Sequence, residues 1–189
     1  MSPEPLFRLI AGLGNPGREY EETRHNAGFM IVDRLAQRAG VPFRPEPKWN
    51  AAIANAGSVL LCKPQSYMNL SGEPLAAVAR FYKIEPARVL AVFDDVALPL
   101  GRIRIRPAGS SGGHNGMESI LRHVGDIPRL RIGIGAADGR PMVDHVLGQF
   151  RAEERPLLDQ ALARGVEAID FLQTNDIAAA MNRFNQNTP

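Results

Sequence analysis

The sequence predicts a single-domain α/β fold with three layers, in which a twisted, largely parallel (mixed) sheet carries helices on both faces. Short runs rich in Val, Ile and Leu alternate with segments of helical periodicity, an order typical of strand and helix units in one sheet. The chain of 189 residues is 44% hydrophobic, enough for one core without disulfides. We therefore expect residues 1–189 to form one domain.

Five segments are predicted to be strands. Residues 6–13, 58–62 and 89–93 are apolar runs closed by Gly, Pro or Asp, which indicates buried strands. Residues 102–106 and 129–134 alternate Arg with Ile or Leu, so each should have one buried and one wet face. The arginines should share the wet face within each strand.

The remaining segments are predicted to be helices and loops. Residues 27–39 and 71–82 repeat apolar side chains at helical spacing, with Ser71 as candidate cap for the second, and residues 152–184 predict one or two further helices. Residues 42–47 should be a loop and residues 185–189 should be frayed.

Charge is unevenly distributed although the net charge is only +2. Residues 102–131 contain six arginines against two acidic residues, whereas residues 151–189 contain four arginines against six acidic residues. A one-sided basic surface is compatible with a nucleic-acid backbone, although an arginine-rich composition alone would give the same count.

The single cysteine and the first eight residues indicate in which cellular compartment the protein is expected. Cys62 lies in an apolar run and has no second cysteine to pair with, so a buried thiol in a reducing compartment is expected. Residues 1–8 lack the pattern of a secretory signal, and no segment has the roughly 18 apolar residues of a membrane span. We expect a cytoplasmic protein.

The first strand runs into Gly-Leu-Gly-Asn-Pro-Gly at residues 12–17, which matches the dinucleotide fingerprint G-x-G-x-x-G. A dinucleotide site needs a helix to begin within the glycines, but the polar residues 18–25 come first. The glycines are better explained by a loop that presents Asn15 at the strand ends, with a purely structural turn as the alternative.

A histidine and two carboxylates occupy places where ligands bind in α/β sheets. His25 precedes the helix of residues 27–39, where an imidazole alone is more often incidental than catalytic. The buried strand of residues 89–93 ends in Asp94 and Asp95, and a carboxylate there could orient His25. Strand alternation lets only one of them point to the ligand crevice, and spacing does not choose between them.

Two further loops offer polar side chains. Residues 63–72 leave a strand with Tyr67 and Asn69, although Asn69 could simply cap the next helix. Residues 109–116 are rich in glycine and end near Asn115, where a helix should begin; their amides could approach a phosphate or carbonyl, or the loop could be a mobile connector.

The sequence favours a reaction without metal, cofactor or covalent intermediate. Four histidines lie among several acids, but no segment has metal-ligand spacing such as His-Glu-x-x-His. No Gly-x-Ser-x-Gly elbow supplies a nucleophile, and Cys62 lies inside a predicted strand. Activated water is the simpler hypothesis.

Four segments in order resemble the bacterial peptidyl-tRNA hydrolase family. Residues 12–28 read Gly-Leu-Gly-Asn-Pro-Gly-x-x-Tyr-x-x-Thr-Arg-His-Asn-Ala-Gly, and residues 63–72 contain Tyr-Met-Asn-Leu-Ser-Gly. Asp-Asp and Gly-Gly-His-Asn-Gly follow, and residues 129–135 extend the similarity. The resemblance implies a cytoplasmic, monomeric hydrolase of the ester joining a peptide or N-blocked aminoacyl group to the 3′ end of tRNA. It also implies that hydrolysis of the peptidyl-tRNA substrate releases free tRNA for reuse in translation and contributes to ribosome rescue.

The same resemblance assigns roles to residues of this chain. His25 is implied to be the base, Asp94 to hold it in the competent form, and Asn15 to discriminate blocked from free aminoacyl-tRNA. Substrate contacts are implied for Tyr20, Tyr67, Asn69 and Asn115.

Three arginines then become candidate contacts to the phosphates of the acceptor arm, namely Arg104, Arg106 and Arg131. The family often has Lys in this region. Asn69 and Asn115 remain equal candidates for stabilising developing charge. Two alternatives stay open: a non-catalytic RNA-binding splicing factor of the same fold, and a hydrolase of another ester or amide.

Overall fold

Seven strands and six α-helices are formed by residues 4–186, the part of the chain that this computed structural model describes. The strands are β1 (Leu9–Gly12), β2 (Arg44–Glu46), β3 (Ala51–Ala56), β4 (Val59–Pro64), β5 (Val89–Asp95), β6 (Ile103–Arg106) and β7 (Arg129–Gly133). The helices are α1 (Ala27–Ala39), α2 (Gly72–Phe81), α3 (Asn115–His123), α4 (Met142–Val146), α5 (Arg155–Thr174) and α6 (Ile177–Phe184). Single turns of 3-10 helix include Arg18–Tyr20, Arg24–Asn26, Pro47–Trp49, Met68–Leu70 and Ala152–Glu154.

The strands form one mixed sheet in the order β2-β3-β4-β1-β5-β7-β6. The four central strands, β4, β1, β5 and β7, are mutually parallel, whereas β2, β3 and β6 pair antiparallel at the two sides. The carboxyl ends of the parallel strands therefore meet at one edge. This arrangement confirms the predicted α/β class.

Each face of the sheet is covered by a separate apolar core, which completes the three layers. Ile10 of β1 packs toward α1, α5 and α6, whereas its neighbours Leu9 and Ala11 pack toward α2 and α3. The same alternation in β5 sends Leu90 and Val92 to the first core. Side chains at the strand ends can consequently meet residues from both helical layers.

The predicted loop of residues 42–47 is wrong in part, because it contains β2. The backbone pairs with β3, a strand that was not predicted. Pro45 is tolerated because β2 lies at the sheet edge, where a missing N–H breaks no central ladder. The alanine-rich β3 has neither alternation nor strong β propensity, so its sequence carries no strand signal.

The prediction that residues 185–189 are frayed is wrong for Asn185. Asn185 is held against β6, since its side chain accepts the Ile105 N–H at 2.7 Å and donates to the Ile105 carbonyl at 3.0 Å. Residues 187–189 lie outside the described residues. The predicted helices of residues 152–184 are confirmed as α5 and α6. Within residues 4–186, no helix is long and apolar enough to cross a membrane.

Ser71 does not cap α2 as predicted. Its hydroxyl donates to the carbonyl of Met68 at 2.8 Å, so it closes the preceding 3-10 turn instead of accepting an N–H of the helix. The helix begins at Gly72.

Helix α1 approaches the sheet at a position where only glycine fits. A Cβ on Gly28 would lie 2.2 Å from the Val92 carbonyl oxygen and 2.5 Å from the Leu13 nitrogen. Those two groups are themselves hydrogen-bonded at 2.9 Å, so neither can give way cheaply. The start of α1, and the residues just before it, are thereby placed directly over the end of β5.

We expect Gly28→Ala to lower the free energy of unfolding by at least about 3 kcal/mol, because a methyl group would collide with backbone atoms. Gly40→Ala is the matched control at the other end of α1. Its φ of 66° is unfavourable for alanine, but nothing lies within 4 Å, so about 1 kcal/mol is expected. Urea unfolding of both variants measures the difference, and equal losses would contradict the close-packing explanation.

Candidate active site

The candidate residues gather at the edge where the parallel strands end. Asn15 follows β1, Asn69 follows β4 and Asp94 is the next-to-last residue of β5. His25 comes from the 3-10 turn that leads into α1, and Asn115 is the first residue of α3. Strand ends of one sheet and helix starts from both layers therefore converge, as expected for ligand sites in α/β folds.

His25 is paired with the buried carboxylate of Asp94, which is 2% exposed. The ring atom Nδ1 lies 3.0 and 2.9 Å from Oδ1 and Oδ2. A proton on Nδ1 donates to the carboxylate, which leaves Nε2 of the neutral ring as an acceptor. Nε2 has no hydrogen-bond partner among residues 4–186. This tautomer is the one that can take a proton from water.

A second imidazole, His114, binds the same carboxylate from the other layer. Its Nε2 lies 2.8 Å from Oδ1 of Asp94, while its Nδ1 accepts the Met117 N–H at 3.1 Å as the N-cap of α3. Because Nδ1 must be unprotonated to accept that bond, the ring proton is on Nε2 and points at Asp94. The carboxylate thus receives one N–H from each side of the sheet.

These contacts keep Asp94 ionised. Burial by itself would raise the pKa of this carboxyl group, but the charge interaction with His114 and the hydrogen bonds from His114 and His25 lower it from 3.8 to about 2. An anion at this position orients His25 and would stabilise the imidazolium that forms when the ring accepts a proton.

His25, Asp94 and His114 also form a group that could hold a metal ion, since their ligand atoms lie within 4.8 Å of one another. Coordination through Nε2 of His114 would force its proton onto Nδ1, where it would face the N–H of Met117. The cap of α3 therefore favours a hydrogen-bonded relay over a metal centre.

A cavity of about 350 Å³ opens beside the hydrogen-bonded group His25, Asp94 and His114, which we call the relay. It is lined by His25, Asp94, His114 and Asn115, by Asp95 and Arg131, by the glycine-rich loop before α3, and by Met142, Val143 and Val146 of α4. The lining combines polar groups with apolar side chains, a composition that suits a substrate with both polar and hydrophobic portions.

Asn15 and Asn26 form a clamp beside the cavity. The backbone N–H and carbonyl of Asn15 bond to the side-chain amide of Asn26, at 2.9 and 3.0 Å. The side-chain oxygen of Asn15 accepts the N–H of Met68 at 2.8 Å. Asn15 lies in the loop after β1 as predicted, but it is buried, and its side chain fixes the turn that carries Tyr67 and Asn69.

The other predicted substrate contacts lie in different surroundings. Tyr67 is 61% exposed, and Asn69 is exposed on the turn Met68–Leu70. Tyr20 is half-buried in the turn Arg18–Tyr20, where its carbonyl accepts the Thr23 hydroxyl. The structure brings Asn115 into the cavity wall with His25 but places these three residues outside it.

The arginines of β6 and β7 share one face of the sheet, where Arg104 pairs in register with Arg131, and Arg106 with Arg129. The prediction that the arginines lie on a solvent-exposed face is wrong for Arg129, which is 2% exposed. Its guanidinium donates to carbonyl groups of the loop before α3, so it is a structural residue. Arg131 forms an ion pair with Asp95 at 2.6 Å, whereas Arg104 and Arg106 form none with any residue in 4–186.

The two aspartates that spacing could not separate have different partners. Asp94 binds both imidazoles, whereas Asp95 accepts the Ala97 N–H at 2.9 Å and pairs with Arg131. Asp95 thus closes the loop after β5.

Sequence reasoning missed three contributors to the site. His114 stood inside the motif Gly-Gly-His-Asn-Gly, and Asn26 stood beside His25, so a polar residue adjacent to a candidate was the available signal in both cases. Helix α4 has five residues and no long periodicity, so its place in the cavity wall had no sequence signal.

The chain resembles known proteins over almost its full length. A family described as peptidyl-tRNA hydrolase matches residues 9–189. The peptidyl-tRNA hydrolase of Synechococcus sp. (strain JA-3-3Ab) is 48% identical over 189 residues, covering 96% of this chain and 84% of that protein. That of Caldanaerobacter subterraneus is 48% identical, covering 94% and 98%. The crystal structure of peptidyl-tRNA hydrolase from Acinetobacter baumannii is 37% identical, covers 100% of both chains and superposes with a TM-score of 0.91.

The pKa of Asp94 predicts a pH-dependent contribution to stability. Because the pKa is lower in the folded protein (about 2) than in the unfolded chain (3.8), ionised Asp94 stabilises the fold above pH 4, and this contribution is lost as pH falls toward 2. We expect the gap in unfolding free energy between wild type and Asp94→Asn to narrow by about 1 kcal/mol from pH 5 to pH 3. Urea unfolding at each pH measures it, with the exposed Asp159→Asn as control. Parallel curves for wild type and Asp94→Asn would refute the depressed pKa.

Proposed function

The chain belongs to the peptidyl-tRNA hydrolase family, and we propose that His25 is the base that activates water in its reaction. The enzyme hydrolyses peptidyl-tRNA. The observation that carries the proposal is the pairing of His25 Nδ1 with Asp94, which leaves Nε2 as an acceptor in a residue that lines the cavity.

In the proposed reaction, Nε2 of His25 takes a proton from water as the water oxygen attacks the ester carbonyl carbon. The carbonyl oxygen becomes an oxyanion in a tetrahedral intermediate. When the intermediate collapses, the bond from carbon to the terminal ribose oxygen breaks, and the imidazolium returns its proton to that oxygen. The products are a peptide with a free carboxyl group and a tRNA with a free terminal hydroxyl, and no covalent enzyme intermediate forms.

Asn115 is the better candidate for binding the oxyanion. It lines the cavity beside His25, whereas Asn69 does not. As first residue of α3 it also lies at the positive end of the helix dipole, which favours negative charge. We assign Asn69 to the peptide side instead.

The peptide side is formed by the turn that Asn15 holds. The bond from Met68 N–H to the Asn15 side chain fixes the turn that carries Tyr67 and Asn69, and we assign Tyr20 to the same side of the substrate. Because the oxygen of Asn15 is already engaged, its remaining amide hydrogens can only donate. Such a donor suits the carbonyl oxygen of an N-blocked substrate and supports the role of Asn15 in excluding free aminoacyl-tRNA.

We assign the tRNA side to the strands β6 and β7. Arg104 and Arg106 share one face and carry no ion pair within residues 4–186, so their charges are available for phosphates. Arg131 lines the cavity but is partly neutralised by Asp95, so its contact with the terminal phosphate would be weaker. These contacts position the acceptor arm without reading its bases.

A non-catalytic RNA-binding role is not favoured, because the base, its carboxylate and a cavity occur together and the relatives are hydrolases. Hydrolysis of a different ester leaves the unpaired arginines unexplained. We further propose that residues 1–189 act as one domain and as a monomer in the cytoplasm, where charged tRNA is used.

Removal of the base is the direct test. We expect His25→Ala to lower the turnover of N-acetylaminoacyl-tRNA by about 10² to 10⁴, with RNA affinity and fold retained. Turnover is measured as release of the acetylated amino acid with a chelator present, and free aminoacyl-tRNA should resist wild-type enzyme. His123→Ala, an exposed histidine of α3, is the control and should be fully active. Unchanged turnover of His25→Ala would rule out this mechanism.

The tRNA side is tested by reversing its available charges. Arg104→Glu with Arg106→Glu should raise KM and reduce the slope of log(kcat/KM) against log salt by about one to two, since two phosphate contacts are lost. Cleavage of a short ester without RNA should be unaffected. Arg122→Glu removes an arginine that pairs with Glu118 on α3 and should leave the slope unchanged. Equal losses on both substrates would argue against phosphate binding.

A further inference from the structure

The catalytic turn leads into α1 at its C-terminal end, and its N-terminal end is held by contacts with a distant segment of the chain. His25 lies in the single 3-10 turn Arg24–Asn26, which has no side-chain bond at its N-cap, Thr23. One turn of helix is unstable in isolation, so its position depends on contacts at its two ends. Asn26 secures one end to the loop after β1. The other end depends on Arg24.

Arg24 is a fully buried cation, 1% exposed, with specific partners. Its Nη1 donates to the Gln149 carbonyl at 2.6 Å and its Nη2 to the Glu154 carboxylate at 2.7 Å. The guanidinium also lies over the ring of Phe150, 5.1 Å from its centroid. The backbone N–H of Arg24 donates to the Gly148 carbonyl at 3.0 Å. Every one of these partners belongs to residues 148–154.

Those partners continue the segment that covers the cavity. Met142 and Val143 of α4 line the cavity, and residues 148–154 follow α4 directly. We call residues 142–147 the covering segment. The five-residue α4 is held at two points: buried His145 donates to the Gly135 carbonyl at 2.9 Å, and the residues that follow the helix are bonded to Arg24.

We propose that Arg24 is a positioning residue that holds His25 against Asp94 and anchors the C-terminal end of the covering segment. The proposal rests on the assignment of His25 as the base. Arg24 touches no substrate, since it is buried beneath the turn. Its fork of donors joins the base and the covering segment, so a shift of either one is transmitted to the other.

A pair of variants separates positioning from simple stability. Arg24→Met alone would leave Glu154 without its partner, so it is combined with Glu154→Gln, which removes both charges and keeps an acceptor for the Arg151 N–H. We expect this double variant to fold with a melting temperature within a few degrees of wild type. Its kcat should be at least about 10-fold lower with KM little changed, because the base is misaligned.

Arg24→Lys keeps the charge but has no fork, and it should recover part of the kcat. Arg155→Met is the matched control, because Arg155 pairs with Glu22 at 3.1 Å and joins the same two parts of the chain at the surface. Wild-type kcat is expected for this control. A double variant with normal kcat, or a control as slow as the double variant, would overturn the proposal.

Two readouts do not depend on turnover. Long-range ¹H–¹⁵N spectra report the tautomer of His25, which should change from Nδ1–H in wild type to a mixture in the double variant. Hydrogen exchange of residues 142–154 should become faster. An unchanged tautomer with unchanged exchange would overturn the proposal even if kcat fell. If His25→Ala kept its activity, the assignment of the base would fail, while these two readouts would still test the anchoring by Arg24.

Discussion

The site depends on one buried carboxylate that accepts an N–H from an imidazole in each helical layer. Asp94 stands at the end of β5, His25 precedes α1 and His114 precedes α3. Each imidazole satisfies part of the charge that burial would otherwise penalise, so the anion persists in a dry position. Any change in the packing of either layer against the sheet would lengthen one of these bonds.

Close backbone contacts fix α1 against the sheet and α2 against α3. Gly28 at the start of α1 faces the Val92 carbonyl, and a Cβ on Gly72 of α2 would lie 2.2 Å from the Ser119 carbonyl of α3. A side chain on Gly28 would push α1 away from the sheet, and one on Gly72 would separate α2 from α3. Close packing is thus sufficient to explain why glycine occupies positions 28 and 72, without a role in phosphate binding. The geometry of the site follows from this close packing.

The arginines differ in whether they are bonded within the fold, a difference that the amino-acid composition does not show. Arg129 is buried in bonds to a loop, Arg131 is paired with Asp95, and Arg24 joins two segments in the interior. Only Arg104 and Arg106 of the two basic strands remain without an ion pair among the described residues. The basic surface is therefore narrower than the count of arginines suggests.

The sequence by itself determined the α/β class, the central strands and the motif loops, because apolar runs and helical periodicity are local signals. It also determined which residues follow the strand ends, and so placed His25 and Asp94 near one another. Tertiary structure decided what depends on long-range contact: the geometry that pairs Asp94 with His25, the second imidazole at His114, the alanine-rich strand β3 and the burial of Arg129. Each of these is set by a partner at least 20 positions away or by the pairing of strands, and no local pattern encodes such a partner.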